Sequence, residues 1–128
     1  MNEMWQENVP PQDIEAEQAV LGAIFLDAEA LVEAMAQIEP QDFYRRAHQI
    51  IFRSMIALND RNENIDIITL KSQIESENTL EDVGGISYLT ELSQVTPTAS
   101  GVAHYAKIVK DKSTLRELIQ AATKIVKE

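Results

Sequence analysis

The sequence predicts an all-α protein, a compact multi-helix head followed by a long projecting helix. Apolar residues recur at three- and four-residue spacing along most of the 128 residues, and no stretch alternates at period two long enough to be a strand. The tail end, from Thr98 to Glu128, carries one uninterrupted helical pattern too long to fold onto a head of this size. A chain of this length buries roughly two thirds of its unfolded surface, enough for one real core. With 45% apolar and 25% charged residues it is globular, and no apolar run approaches the ~18 residues of a membrane span. The opening "MNEMWQENVPPQ" has no basic region followed by an apolar stretch, so it is no secretory signal. The absence of cysteine excludes disulfides, iron–sulfur clusters and thiolate zinc sites, and fits a reducing cytoplasm.

Residues 1–8 are polar and aperiodic and read as a flexible tail; the head spans 9–97. Pro10 and Pro11 set an extended entry, and Asp13 caps a first helix beginning at Ile14. At 100° per residue, Ala16, Val20, Leu21, Ala23, Ile24 and Phe25 fall on one arc, while Glu15, Gln18 and Gly22 fall opposite. Glu17 breaks the pattern by landing inside the apolar arc. Asp27 caps a second helix carrying Leu31, Met35 and Ile38, which Pro40 stops. A third helix is expected from about Phe43 to Leu58, with Tyr44, Ala47, His48, Ile51, Met55 and Leu58 on one face and Arg46, Gln49 and Arg53 on the other. "NDRNEN" is a loop, Asp66 caps a helix containing Ile67, Leu70 and Ile74, and Gly84-Gly85 turns the chain before Ile86, Leu89 and Leu92.

"TPTASG" separates this head from the helix of 98–128, for which Thr98 is the expected cap. Ile108, Leu115 and Ala122 stand seven apart, with Leu118 and Ile125 completing a seam. Such a helix is roughly 45 Å long at 1.5 Å per residue, against a radius of gyration near 13 Å for the head. Its outer part, including Ile119 and Val126, must project into water or onto a partner helix, which makes self-association through the seam the expectation. No helix-stop signal precedes Glu128, so the pattern reads as the start of something larger.

Charge is unevenly placed. Ten acids precede the first base, Arg45, and equal the whole net charge of −10. Such a surface repels phosphate backbones and attracts basic proteins. "DFYRRAHQ" interleaves aromatics with arginines, yet four arginines before Lys71 make too thin a footprint for nucleic acid, and a solvated helix start is the simpler reading. Chemistry is equally sparse: there is no phosphate-binding loop, no dinucleotide fingerprint, no HExxH, and two histidines in all. Glu15 and Glu17 sit about 200° apart on a helix and cannot converge as an acid–base pair. Glu17 instead requires a partner inside the core, for which Arg45, Arg46 and His48 are the candidates. His48, on an apolar face, reads as a core histidine with satisfied ring nitrogens. Gly22 is better explained by close packing within the domain than by an outside contact.

The blocks "PPQDIEAEQAVLGAIFLD", "DFYRRAHQIIF", "IDIITL", "EDVGGISYLTEL", "PTASGVAHYAKIV" and "LRELI" occur in order from about Val9 to Ile119. Together they resemble the N-terminal domain of DnaB-type bacterial replicative helicases. The resemblance implies a helical head followed by a helical hairpin whose first arm is 98–128, cut before the second arm, a linker and a RecA-like ATPase. It implies a cytoplasmic protein at the replication fork, pairing through hairpins into dimers and a hexamer that is a trimer of dimers. Primase, through its helicase-binding domain, and a helicase loader are the implied partners. No cofactor belongs to this segment; ATP and Mg²⁺ would serve the ATPase domain, and DNA would be held by that ring.

For primase docking the resemblance points to Glu15, Asp82, Tyr88, Arg116, Ile119 and Ile125. Self-association falls to Ile108, Leu115, Leu118, Ala122 and Ile125, and the buried polar group is Glu17 with Arg45 and His48. Two departures stand out: Glu117 replaces a usual second arginine, and Ser100-Gly101 replaces a longer side chain where the long helix opens. The alternative function is a free-standing acidic helical adaptor for a basic protein.

Overall fold

The computed structural model describes residues 9–95 and 98–127, so the expected tail of 1–8 lies outside the described residues. Among the described residues it is all-helical. The α-helices are α1 (Ile14–Leu26), α2 (Glu29–Met35), α3 (Arg46–Asp60), α4 (Ile67–Ser76), α5 (Gly85–Leu92) and α6 (Val102–Lys127), with 3₁₀ turns at Pro40–Asp42 and Glu81–Val83.

The caps follow from the sequence. Asp13 accepts from the Ala16 N–H at 2.9 Å, and Asp66 accepts from the Thr69 N–H at 2.8 Å while its own N–H donates to the Thr69 hydroxyl at 3.0 Å. Asp27, expected as the cap of α2, stands one residue ahead of its N-cap, Ala28, and accepts from the Glu29 N–H at 3.0 Å. Gly84 and Gly85 take φ of +95° and +74°, a reversal that side-chain-bearing residues adopt only with strain.

Helix α1 is the axis of the head, packing against α2, α3, α5 and α6. Because it is enclosed on several sides, burial extends beyond its apolar arc and takes in Gly22, which the helical wheel placed outward. The core around it joins Val20, Leu21 and Ile24 to Leu31, Phe43, Ile51, Phe52, Met55, Leu58, Leu70, Ile74, Leu89 and Leu92. Met35, expected inside, is exposed, because α2 ends there and Ile38 fills the core from the following turn.

Helix α3 starts later than the periodicity suggested. Pro40–Asp42 closes a 3₁₀ turn, and the chain then runs extended through Phe43 and Arg45, so Tyr44 precedes the helix instead of joining its inner face. The other shift is at α6. Thr98 does not cap it; its hydroxyl accepts from the Ser100 N–H at 3.2 Å, and the helix begins at Val102. Its 26 residues make it roughly 39 Å long at 1.5 Å per residue. Gly101 has a packing reason, since a Cβ there would stand 3.0 Å from the Tyr105 ring.

Candidate functional site

Three features could meet partners: a cleft over α5, a polar clamp between α6 and the head, and the outer half of α6.

Beneath the cleft lies a buried hydrogen-bonded chain. The Glu17 carboxylate, from α1, accepts from the Tyr44 N–H at 2.6 Å and makes a longer 3.5 Å contact with the Arg45 N–H. These amides lie just ahead of α3, whose own N-cap, Arg45, supplies no capping side chain. A carboxylate from another helix therefore binds the backbone just ahead of α3, at the positive end of its dipole. His48 Nδ1 lies 2.6 Å from Glu17 Oε1, and Nε2 lies 2.6 Å from the Tyr88 hydroxyl, which also accepts from Gln18 Nε2 at 3.1 Å. These partners order the hydrogens. With the imidazole neutral, Nδ1 carries the ring hydrogen toward Glu17 and Nε2 accepts the Tyr88 O–H, whose oxygen takes the Gln18 amide hydrogen.

Of the three candidate partners for Glu17, His48 is the buried one; Arg46 is exposed, and Arg45 does not reach the carboxylate with its side chain. Its side chain is exposed, because the extended backbone before α3 turns it outward and leaves only its amide near the carboxylate. Gln18, read as outward, belongs to the chain. The arrangement has a Tyr–His–Glu order, yet each polar atom is committed to the next, so it ties α1, α3 and α5 together. Above it, a cleft of about 440 Å³ is lined by Arg45, Glu81, Asp82, Ser87, Tyr88 and Glu91. Asp82 and Tyr88 are therefore neighbours, one on the acidic rim and one half-buried with its ring at the wall.

Glu15 is exposed, as expected, and borders a separate cleft of about 290 Å³ with Val95, Tyr105 and Ile108. Ile108 is half-buried against the head's own core.

The buried stripe of α6 is Val102, Ala106, Val109 and Ser113. At 100° per residue these lie within about 40° of one line, and Arg116 continues it. Leu115, Leu118, Ala122 and Ile125 lie within about 40° of the opposite line. The helix is two-faced. The head takes one stripe and also covers Ile108, which the sequence reading placed in the seam; the rest of that seam faces away from the head: Leu115 is 44%, Leu118 64% and Ile125 72% exposed, and Ile119, on the flank, 50%. From Glu117 to Lys127 every residue is exposed.

The clamp holding this helix is centred on Asp42, which the sequence reading treated as no more than an acid. Its side chain is buried; Oδ1 accepts from the Ser113 hydroxyl at 2.7 Å, Oδ2 from the Glu39 N–H at 2.8 Å, and Lys110 Nζ stands 3.6 Å from Oδ2. Arg116 donates to the Asp42 carbonyl at 2.6 Å and to the Pro11 carbonyl at 2.8 Å, and its guanidinium lies 5.5 Å from the Tyr44 ring centroid. A heptad count started at Val102 would have found Ser113 at an inner position. Away from these features, a hydrogen bond from Arg61 to Glu63 raises the Arg61 pKa above its ordinary value on the exposed loop after α3.

Comparison with known proteins places the geometry. Residues 9–111 match the family described as the DnaB-like helicase N terminal domain. The chain is 51% identical over all 128 residues to the replicative DNA helicase DnaB of Geobacillus stearothermophilus and 49% identical to the replicative DNA helicase DnaC of Bacillus subtilis (strain 168). It spans 28% of the length of each. The crystal structure of the N-terminal domain of DnaB helicase from Mycobacterium tuberculosis superposes with a TM-score of 0.91 at 38% identity, covering 93% of this chain and 83% of that one. The N-terminal domain of DnaB helicase from Helicobacter pylori, described with its interactions with primase, shares the fold at a TM-score of 0.74 and 22% identity, with 88% of each chain covered. On the match to 9–111 and the similarity over all its residues, the chain belongs to the DnaB-like helicase N-terminal domain family.

Proposed function

We propose that this chain is the assembly and primase-docking domain of a hexameric, ATP-dependent replicative DNA helicase, working in the cytoplasm at the replication fork. The observation that carries the reading is the apolar stripe of α6 turned away from the head, with Leu118, Ile119 and Ile125 each half exposed or more. An apolar side chain left in water forfeits on the order of 1–3 kcal/mol, so the stripe favours association. The similarity to replicative helicases over the whole chain supports the setting, and the primase interaction described for the Helicobacter pylori domain supports the partner class. On this reading the inner turns of α6 anchor it to the head and the outer turns pair with another subunit and meet the helicase-binding domain of primase. Glu15 and the Asp82–Tyr88 cleft contribute on the head. The domain performs no catalysis; ATP and Mg²⁺ act in an ATPase domain that also holds DNA, and a loader binds the assembled ring.

Isothermal titration of the primase helicase-binding domain into this chain tests it. Ile119→Glu with Ile125→Glu is expected to weaken binding by tenfold or more, each factor of ten being about 1.4 kcal/mol. Binding unchanged by the pair would sink the docking role of α6.

A further inference from the structure

Arg116 stands between the anchored and the free parts of α6, and its side chain points inward. Its two donated hydrogen bonds end on backbone carbonyls of separate segments, Pro11 ahead of α1 and Asp42 before α3, and its guanidinium covers Tyr44. Beyond it no residue of α6 is buried. The apolar anchors, Val102, Ala106 and Val109, lie near the start of the helix. From Val109 to Ile125 the helix runs about 24 Å, so a 10° tilt about that anchor would move Ile125 by roughly 4 Å, the reach of a van der Waals contact. Apolar packing of a few small side chains resists such rocking poorly, because it is non-directional. A guanidinium fork fixed on two carbonyls resists it, because its donors are held in one plane.

We infer that Arg116 is a positioning residue: it fixes the direction in which α6 leaves the head, and thereby the placement of Ile119 and Ile125, without itself touching the partner. This rests on the docking reading above but departs from the contact role that the family resemblance implies for Arg116. The clamp includes Asp42, whose side chain is buried and cannot be reached by primase, and Ser113, which is bonded to it.

The two roles separate experimentally. Because this chain contains no cysteine, labels placed by Asp60→Cys and Lys124→Cys report a single head-to-arm distance, read by pulsed electron resonance on labelled chains diluted into unlabelled ones. Arg116→Ala is expected to broaden that distance distribution by several ångströms and to weaken binding of the primase helicase-binding domain about tenfold, with the melting curve of the head little changed. Arg116→Lys keeps the charge but loses the fork, and is expected to behave like Arg116→Ala. Ser113→Ala, at a buried position, is expected to broaden the distribution partly and to weaken primase binding in proportion. Weaker binding in Arg116→Ala with an unaltered distance distribution would overturn the inference in favour of direct contact, as would full binding by Arg116→Lys. Should the unsubstituted chain fail to bind primase, the docking reading falls, and the distance distribution alone then decides whether Arg116 sets the arm.

Discussion

The head and the outer arm of α6 are built from opposite economies of burial. In the head, ionisable groups go inside with partners: Glu17, His48 and Asp42 are all nearly inaccessible, and every one is hydrogen-bonded. In the arm, Leu118, Ile125 and Val126 go outside, each more than half exposed. Charge divides along the same line. Residues 1–101 hold 18 acids and 5 bases, a balance of −13, whereas α6 (Val102–Lys127) holds 2 acids and 6 bases, a balance of +4. On the proposed function, the difference teaches that this chain keeps its specificity of folding in the head and offers the arm for association. Damage to one should leave the other standing.

The largest effect should come from the buried carboxylate. Glu17→Ala removes the acceptor for His48 and for the amides ahead of α3, and unmade buried hydrogen bonds cost about 1–3 kcal/mol each, so urea unfolding should show a loss of about 3 kcal/mol or more. Glu15→Ala, two residues away but exposed, should stay within about 0.5 kcal/mol. Equal losses would break the contrast between the faces of α1. Tyr88→Phe comes next. It keeps the ring on the cleft wall but orphans His48 Nε2 and the Gln18 amide, and should cost about 1–3 kcal/mol in the same measurement. A loss below that range would mean the hydroxyl chain does not tie α5 to the head.

Leu118→Glu with Ile125→Glu should leave the unfolding free energy of the head within about 0.5 kcal/mol while abolishing self-association measured by light scattering. Destabilisation of the head by this pair would show that the arm is not independent of it. Smallest is Ser54→Ala. The Ser54 hydroxyl is buried with no hydrogen-bond partner among the described residues, so its removal should be neutral or stabilising by less than about 1 kcal/mol, read as a slight rise in melting temperature. A loss larger than that would imply a bond that the described residues do not supply.

Much of this was legible beforehand because it is local. Helix number, the caps at Asp13 and Asp66, the glycine turn, the need of Glu17 for a buried partner and the wet outer seam of the last helix all follow from periodicity and from the cost of burying charge, whereas the choice of His48 over Arg45 and Arg46 does not. A helical wheel, however, knows only one helix. It put Gln18 outside and Gly22 on the outer face, although close packing was the preferred reading of that glycine and its burial agrees; and it read Tyr44 as helical, because the break at Phe43–Arg45 is stabilised by a carboxylate 27 residues earlier. Arg45 was a reasonable partner for Glu17 by charge; its backbone, not its side chain, turned out to be the near group.

The sequence alone determined that α6 would be long and would leave apolar residues in water, since helix length and residue pattern suffice for that. Which stripe of α6 the head covers, and which it leaves free, was decided by the tertiary structure. The two apolar stripes occupy different halves of the helix: Val102, Ala106 and Val109 in the first, Leu115, Leu118, Ala122 and Ile125 on the opposite face of the second. What the pattern does not contain is where the packed half ends, and there Asp42, a residue distant in sequence, accepts from the Ser113 hydroxyl through its buried carboxylate and from the Arg116 guanidinium through its carbonyl. Such a choice is non-local by nature: a buried acid must be satisfied by whatever element crosses it, and only the folded chain says which element that is.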